Sequence, residues 1–121
     1  MGVDAALMVA LVAATLGGFV FIWIGLLSLL GRLPPNRWAG IRTRATFASP
    51  EAWDAGHRAG AIPLIFGGVA ILAAGLALVP FALAGKLDDV VVGAGTIGLL
   101  ALHTATGLAA WVAASRAARA A

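Results

Sequence analysis

Residues 33–60 read LPPNRWAGIRTRATFASPEAWDAGHRAG, and this polar segment separates two long apolar runs. The runs at residues 5–31 and 59–85 contain no Asp, Glu, Lys or Arg, and neither does a third run at residues 90–115. A helix needs about 20 apolar residues to cross the ~30 Å hydrocarbon core of a bilayer, and each run is longer than that. The sequence therefore predicts an all-α, polytopic membrane protein, with three transmembrane helices in a single domain over residues 1–121.

The composition indicates the same class of protein. Of the 121 residues, 62% are hydrophobic and 11% are charged, whereas soluble domains usually contain about 25% charged residues. The net charge of +3 comes from cationic residues that flank the apolar runs, where they influence topology and meet anionic lipid head groups. We therefore expect the lipid bilayer as a partner, and no nucleic acid. The absence of cysteine excludes disulfides and thiolate metal sites.

The distribution of Lys and Arg predicts the orientation of the helices. The segment after the first run and the tail after the third hold seven of the eight cationic residues, and the loop between the second and third runs holds only Lys86. Because cytoplasmic loops are enriched in Lys and Arg, residues 32–58 are predicted to be cytoplasmic, with the N-terminus outside and the C-terminus in the cytoplasm. The acidic Asp4 and the 27-residue length of the first run favour a retained helix over a signal peptide.

A helix is predicted to begin at Ser49 and to continue without a break into the second span. Serine is a favoured N-cap residue, and the proline that follows it is tolerated in the first turn. On this helix Trp53 and His57 are four residues apart and share a face. Asp54 and Arg58 have the same spacing, in the order that stabilises a helix. We expect this first part of the helix, including His57, to be solvated.

The stretch at residues 36–47 has no clear period and is predicted to be irregular. It could be a plain anchor, because positive charge and tryptophan are enough to hold helix ends at the interface. An anchor does not need the polar side chains that this stretch contains, which are Asn36, Thr43 and Thr46. Gly40 suggests a backbone conformation that other residues adopt poorly. The planar guanidinium of Arg42 is predicted to bind either carbonyls at the end of the first helix or a phosphate.

A family resemblance rests on one set of residues in this segment. They are the run Asn36-Arg37-Trp38-Ala39-Gly40-Ile41-Arg42-Thr43, followed by Thr46, Trp53, His57 and Arg58. This set resembles the signature of the SdpI family of small bacterial integral membrane proteins, specifically over residues 35–60 and compatibly over the flanking helices. The resemblance implies a multi-pass protein of the bacterial plasma membrane that gives immunity to a secreted killing peptide. The founding member of the family resembles two modules in series, and this chain has the one three-helix module that bears the motif.

His103 lies near the middle of the third apolar run, and an ionisable residue inside a membrane is a candidate functional residue. Thr96, His103 and Ala110 are spaced seven residues apart and describe a small, polar packing face. His103 could be a neutral imidazole bonded to a threonine or backbone carbonyl of another helix. It could also bind a ligand or transfer protons.

Three functions are compatible with these observations. The first is protection against a membrane-active peptide, as the resemblance implies. The second is binding of an anionic lipid or envelope precursor, with arginines on the head group and Trp38 and Trp53 at the interface. The third is an accessory subunit of a larger membrane complex. The sequence contains no recognisable catalytic constellation or metal-ligand set, so we predict no enzymatic activity, no cofactor and no metal.

Small-residue pairs in the helices predict a homo-oligomer. The pairs are Gly56/Gly60, Gly67-Gly68 and Ala94/Gly98. Small residues allow helices to approach closely in lipid, and these pairs offer more such surface than three helices can use in packing on one another.

Overall fold

Three long helices make up most of the chain. The computed structural model describes residues 2–121, and over that range it contains α1 (Ala5–Leu29), α2 (Pro50–Leu83) and α3 (Asp89–Ala120) and no strand. Each helix is long and apolar enough to cross a membrane. The predicted all-α membrane fold with three spans is therefore confirmed. α1 ends slightly before the predicted boundary, and α3 continues past residue 115.

Side-chain caps define where the helices begin. Asp4, Ser49 and Asp88 each accept hydrogen bonds from backbone N–H groups in the first turn of the helix that follows. The predicted start of the second helix at Ser49 is thus confirmed. At the end of α1, Gly31 adopts a φ of +66°, and the N–H groups of Gly31 and Arg32 donate to carbonyls in the last turn of α1. This glycine-dependent arrangement ends α1 sharply and directs the chain into the loop that follows.

α2 packs against both of the other helices, which contact each other much less. On one side α1 and α2 cross at Gly18 and Gly68, where a Cβ atom on either glycine would lie 2.7 Å from the carbonyl oxygen of the other. On the other side Gly56 and Gly60 face α3, and a Cβ on Gly56 would lie 3.0 Å from the Ala114 carbonyl oxygen. Backbone contacts this close are possible only where side chains are absent or small.

Most of the small residues from which a homo-oligomer was predicted pack against other helices of the same chain. Gly56, Gly60 and Gly68 contact neighbouring helices of the same chain. Ala94 and Gly98 are exposed on α3, and a Cβ on Gly98 would meet nothing within 4 Å. The premise of excess surface is therefore wrong for the glycines of α2, because that helix has two neighbours. The homo-oligomer stays a prediction that rests on the exposed pair in α3.

The two ends of the bundle differ in character. The end of α1, the start of α2 and the end of α3 lie together, and residues 30–49, here called the motif loop, cover them. The motif loop is irregular, as predicted, apart from a short 3₁₀ helix at Thr46–Ala48 that contacts α2 and α3. The apolar core lies farther from the motif loop, around Leu11, Ile71 and Val92.

Candidate functional site

Asn36 closes the first turn of the motif loop. Its side-chain oxygen accepts hydrogen bonds from the backbone N–H groups of Trp38 and Ala39, at 2.8 and 2.7 Å. Its side-chain nitrogen donates to the carbonyls of Pro34 and Ala39, at 2.9 and 3.0 Å. All of these partners are backbone groups of the loop, so Asn36 sets the shape of the loop.

Gly40 lies where the motif loop passes closest to α2. Its φ is +108°, in the region that residues with a Cβ atom rarely adopt. A Cβ atom at this position would also lie 2.6 Å from Nε2 of His57. The prediction that this position requires glycine is confirmed, and the requirement has two causes, backbone conformation and space.

His57 connects the motif loop to α2 through both nitrogens of its ring. Nε2 accepts a hydrogen bond from the Ile41 N–H at 2.8 Å, and Nδ1 lies 2.8 Å from the carbonyl oxygen of Trp53. Because a backbone N–H can only donate, Nε2 must be the unprotonated nitrogen, and Nδ1–H donates to the carbonyl. The hydrogen bonds therefore select one neutral tautomer of His57.

The predicted solvation of His57 is wrong. The residue is only 2% exposed, and its ring stacks on that of Trp53 with centroids 4.0 Å apart. Glu51, Asp54 and Arg58 on the same helix are exposed, but His57 faces inward beneath the loop. Burial lowers the pKa of His57, which precedes the charge-free run of α2, and the Trp53 carbonyl and the Asp54 charge oppose this effect only in part.

Trp53 joins the start of the motif loop to α2. Its indole Nε1–H donates to the carbonyl oxygen of Leu33 at 2.7 Å, and its ring centroid lies 5.1 Å from that of Phe47. Trp53 is 3% exposed, so its predicted position at the lipid interface is wrong. Trp38, by contrast, is 87% exposed. The two tryptophans of the motif therefore have different roles, one in the loop's core and one on its surface.

Thr43 and Thr46 bond to each other and close the second half of the motif loop. The Thr46 hydroxyl accepts from the Thr43 N–H at 2.9 Å and lies 2.8 Å from the Ile41 carbonyl oxygen, to which it donates. The Thr43 hydroxyl accepts from the Thr46 N–H at 3.1 Å. Thr46 is fully buried, and its methyl group packs where a Cβ on Gly56 would come within 2.9 Å. This contact fixes the loop against α2.

The end of α1 is bound by an arginine, but not by the predicted one. Arg58 donates to the Leu29 carbonyl oxygen at 3.3 Å and pairs with Asp54 at 2.9 Å. The Arg42 guanidinium instead donates to the carbonyl oxygen of Arg37, within the motif loop. Of the two partners predicted for Arg42, the end of the first helix is wrong, because Arg58 lies beside that helix end. The phosphate stays a prediction. The predicted Asp54–Arg58 pair is confirmed.

The outer surface of the motif loop is cationic. Its four exposed arginines have no carboxylate within 4.0 Å, since the ion pair of Arg58 is the one that residues 2–121 contain. These arginines are Arg32, Arg37, Arg42 and Arg44. Together with the exposed Trp38 they form a surface suited to anionic groups at a membrane interface.

Thr96 and His103 lie in the membrane-spanning part of α3, apart from the motif loop. The Thr96 hydroxyl is buried and donates to the Val92 carbonyl, one turn earlier in the same helix. Nδ1 of His103 lies 2.8 Å from the Leu99 carbonyl oxygen, also in its own helix, and Nε2 points at Gly17 of α1. The bond of His103 to another helix was therefore predicted wrongly. Thr96 satisfies its hydroxyl within its own helix, whereas the local hydrogen bond of His103 uses only Nδ1. Ligand binding or proton transfer by His103 stays a prediction.

The site residues predicted from sequence thus separate into two groups by position. The first group shapes the motif loop and holds it on α2, and consists of Asn36, Gly40, Thr43, Thr46, Trp53 and His57, with Trp38, Arg42 and Arg58 exposed around them. The second group, His103 and Thr96, lies apart from the loop in α3. In the part of the chain that the structure describes, no three His, Cys, Asp or Glu side chains come together as possible metal ligands. The backbone groups of Leu33 and Ile41 hold the two buried aromatic rings, and no sequence signal distinguishes these groups from other backbone groups.

Comparison with known proteins identifies the family. The model of the SdpI/YfhL protein family matches residues 32–115, which include most of the motif loop, all of α2 and most of α3. No curated protein and no solved structure gives a significant match to the chain. The matched range covers more than half of the 121 residues. This multi-pass membrane protein therefore belongs to the SdpI/YfhL protein family.

Proposed function

We propose that the protein protects the bacterial plasma membrane against a membrane-active peptide. Two findings support this proposal: the chain belongs to the SdpI/YfhL family, and its motif resembles the signature that implies immunity to a killing peptide. The motif is present as one folded unit and not as a mobile anchor, since its polar side chains are bonded to the backbone.

The observation that carries the proposal is the division of the motif between buried and exposed residues. His57, Trp53 and Thr46 are buried and hold the loop on α2. The arginines and Trp38 have exposed side chains that another molecule can reach. A rigid, exposed surface of cations and one aromatic ring is suited to binding. We therefore assign the protein a binding or blocking role at the bilayer, without catalysis.

The test compares survival of cells with and without the protein during challenge with a panel of membrane-active peptides. Expression should raise survival and reduce membrane depolarisation for at least one peptide. The double variant Arg37→Gln/Arg44→Gln should lose this protection, while Arg119→Gln at the exposed end of α3 should keep it. A wild-type protein that reaches the membrane and protects against none of the peptides would refute the proposal.

A second candidate function is the binding of an anionic lipid head group, favoured by the four exposed arginines without carboxylate partners. Guanidinium groups bind phosphate oxygens in a planar, two-point geometry. Trp53 has no part in this function because it is buried. Lipid extracted from the purified protein and identified by mass spectrometry should be enriched in anionic species. A lipid composition equal to that of the host membrane would exclude this candidate.

A further inference from the structure

A cavity of about 220 Å³ lies directly beneath the motif loop, among all three helices. Phe21 and Ile24 of α1, Leu64 of α2, and Gly107 and Ala110 of α3 line it, and Gly40 and Ile41 of the motif loop cover it. All of these helix residues lie in the half of the bundle nearest the loop. The cavity is therefore at the depth of the lipid leaflet that adjoins the motif loop.

The shape and chemistry of the cavity fit part of an apolar chain. Its side chains are entirely aliphatic or aromatic, and it is partly open. Pockets that enclose a whole small ligand usually measure about 300–1,000 Å³. This smaller cavity suits one segment of a longer molecule that extends out into the bilayer.

The residues next to the cavity indicate which head group that molecule would carry. Ile41 lines the cavity, and the adjacent Arg42 is exposed on the cationic surface of the motif loop. Neighbouring Cα atoms lie about 3.8 Å apart, so a molecule with its chain beside Ile41 has its head group within reach of the arginines. A phospholipid with an anionic head group has this combination of an apolar chain and an adjacent negative charge.

We propose that this cavity binds one acyl chain of an anionic phospholipid, whose phosphate contacts the arginines of the motif loop. The proposal rests on the lipid-binding candidate above and locates its site, and it does not depend on protection against a peptide. An acyl chain gains little by leaving other lipid for an apolar cavity, because both surroundings are hydrocarbon. The preference for this lipid therefore comes from the arginines. The cavity holds the chain where the phosphate can reach them, so a side chain that fills the cavity also moves the phosphate away from the arginines.

Two glycines of α3 provide a matched test. A Cβ at Gly107 would meet nothing within 4 Å, so a leucine there can extend into the cavity without displacing the backbone. A Cβ at Gly98 would also meet nothing within 4 Å, but Gly98 does not line the cavity. Gly107→Leu and Gly98→Leu therefore add the same side chain to the same helix, and only the first fills the proposed site.

The experiment measures lipid bound to the full-length protein by native mass spectrometry, in detergent with equal amounts of phosphatidylglycerol and phosphatidylcholine. Wild type and Gly98→Leu should retain phosphatidylglycerol preferentially. Gly107→Leu should retain it about tenfold less well, a change of ~1.4 kcal/mol, and Gly107→Ala should show a smaller loss. Thermal unfolding of each variant verifies folding, and the alanine variant decides the question if the leucine variant does not fold.

The possible outcomes distinguish the acyl-chain site from the binding of anionic lipid on which it rests. Preferential binding that is unchanged in Gly107→Leu would overturn the acyl-chain site and leave head-group binding by the arginines intact. Wild type without any preference for phosphatidylglycerol would overturn both. Equal losses in Gly107→Leu and Gly98→Leu would show that the lipid covers the whole helix surface, which also overturns the proposed site. Wild type that holds an apolar peptide in place of phospholipid would overturn it in favour of a peptide site.

Discussion

Gly40→Ala should destabilise the protein in a way that reveals the contact between the motif loop and His57. The alanine would have to adopt a φ near +108° or force the loop to move. Left-handed backbone costs a residue with a Cβ about 1–2 kcal/mol. The new Cβ would also lie 2.6 Å from Nε2 of His57, displacing the imidazole from the Ile41 N–H. Leaving a buried backbone donor without a partner costs about 1–3 kcal/mol, so the expected total is about 2–5 kcal/mol.

Gly85→Ala is the matched control for the backbone component. Gly85 has a φ of +68°, and a Cβ there would meet nothing within 4 Å. Its substitution should therefore cost only the conformational part, about 1–2 kcal/mol. The loss in free energy of unfolding should be larger for Gly40→Ala than for Gly85→Ala, and the difference measures the collision with His57.

The assay is equilibrium unfolding in mixed micelles with increasing sodium dodecyl sulfate, followed by circular dichroism. A second comparison introduces Gly40→Ala into a His57→Ala background, where the imidazole is absent. In that background the free energy lost on Gly40→Ala should fall to about the value for Gly85→Ala. The reasoning is refuted if Gly40→Ala costs the same in both backgrounds, or no more than Gly85→Ala in the wild type.

Three other predictions concern charge, the indole bond and topology. Because burial lowers the pKa of His57, the unfolded chain takes up a proton at higher pH than the folded loop. The free energy of unfolding should therefore be highest above about pH 6.5 and decrease as the pH falls below that value. His57→Gln should largely abolish this pH dependence. Trp53→Phe should cost about 1–3 kcal/mol in the unfolding assay, because the half-buried Leu33 carbonyl loses its donor. Trp38→Phe should change stability by less than about 0.5 kcal/mol, and equal effects of the two substitutions would contradict the assigned positions. Reporter fusions after Leu87 should be external and fusions after Arg119 cytoplasmic, and the reverse pattern would overturn the orientation.

Much of the architecture followed from local features of the sequence. The charge-free runs marked the three spans, because no other structure satisfies the backbone of so long an apolar segment in lipid. The start of α2 at Ser49 and the need for glycine at position 40 were also predicted, since capping and backbone conformation depend on near neighbours.

The burial of the motif was not predicted, because it depends on long-range contacts. His57 receives its hydrogen bond from Ile41, 16 residues earlier, and Trp53 donates to Leu33, 20 residues earlier. Both partners are backbone groups, which look the same at every position in a sequence. Polar residues near a membrane interface are commonly solvated, so the sequence alone predicts that His57 is exposed to water. The binding of the end of α1 by Arg58 instead of Arg42 has the same origin, since only the folded loop decides which guanidinium reaches that helix end.

The division of the motif loop into a buried and an exposed face has a consequence for how its sequence can change. The residues that hold the loop bond to backbone atoms of the loop and α2, so few replacements are compatible with folding. Arg37, Trp38 and Arg44 have exposed side chains, and substitutions at such positions usually alter stability by less than about 0.5 kcal/mol. Lineages of this protein can therefore vary the outer face of the loop while keeping the scaffold beneath it unchanged.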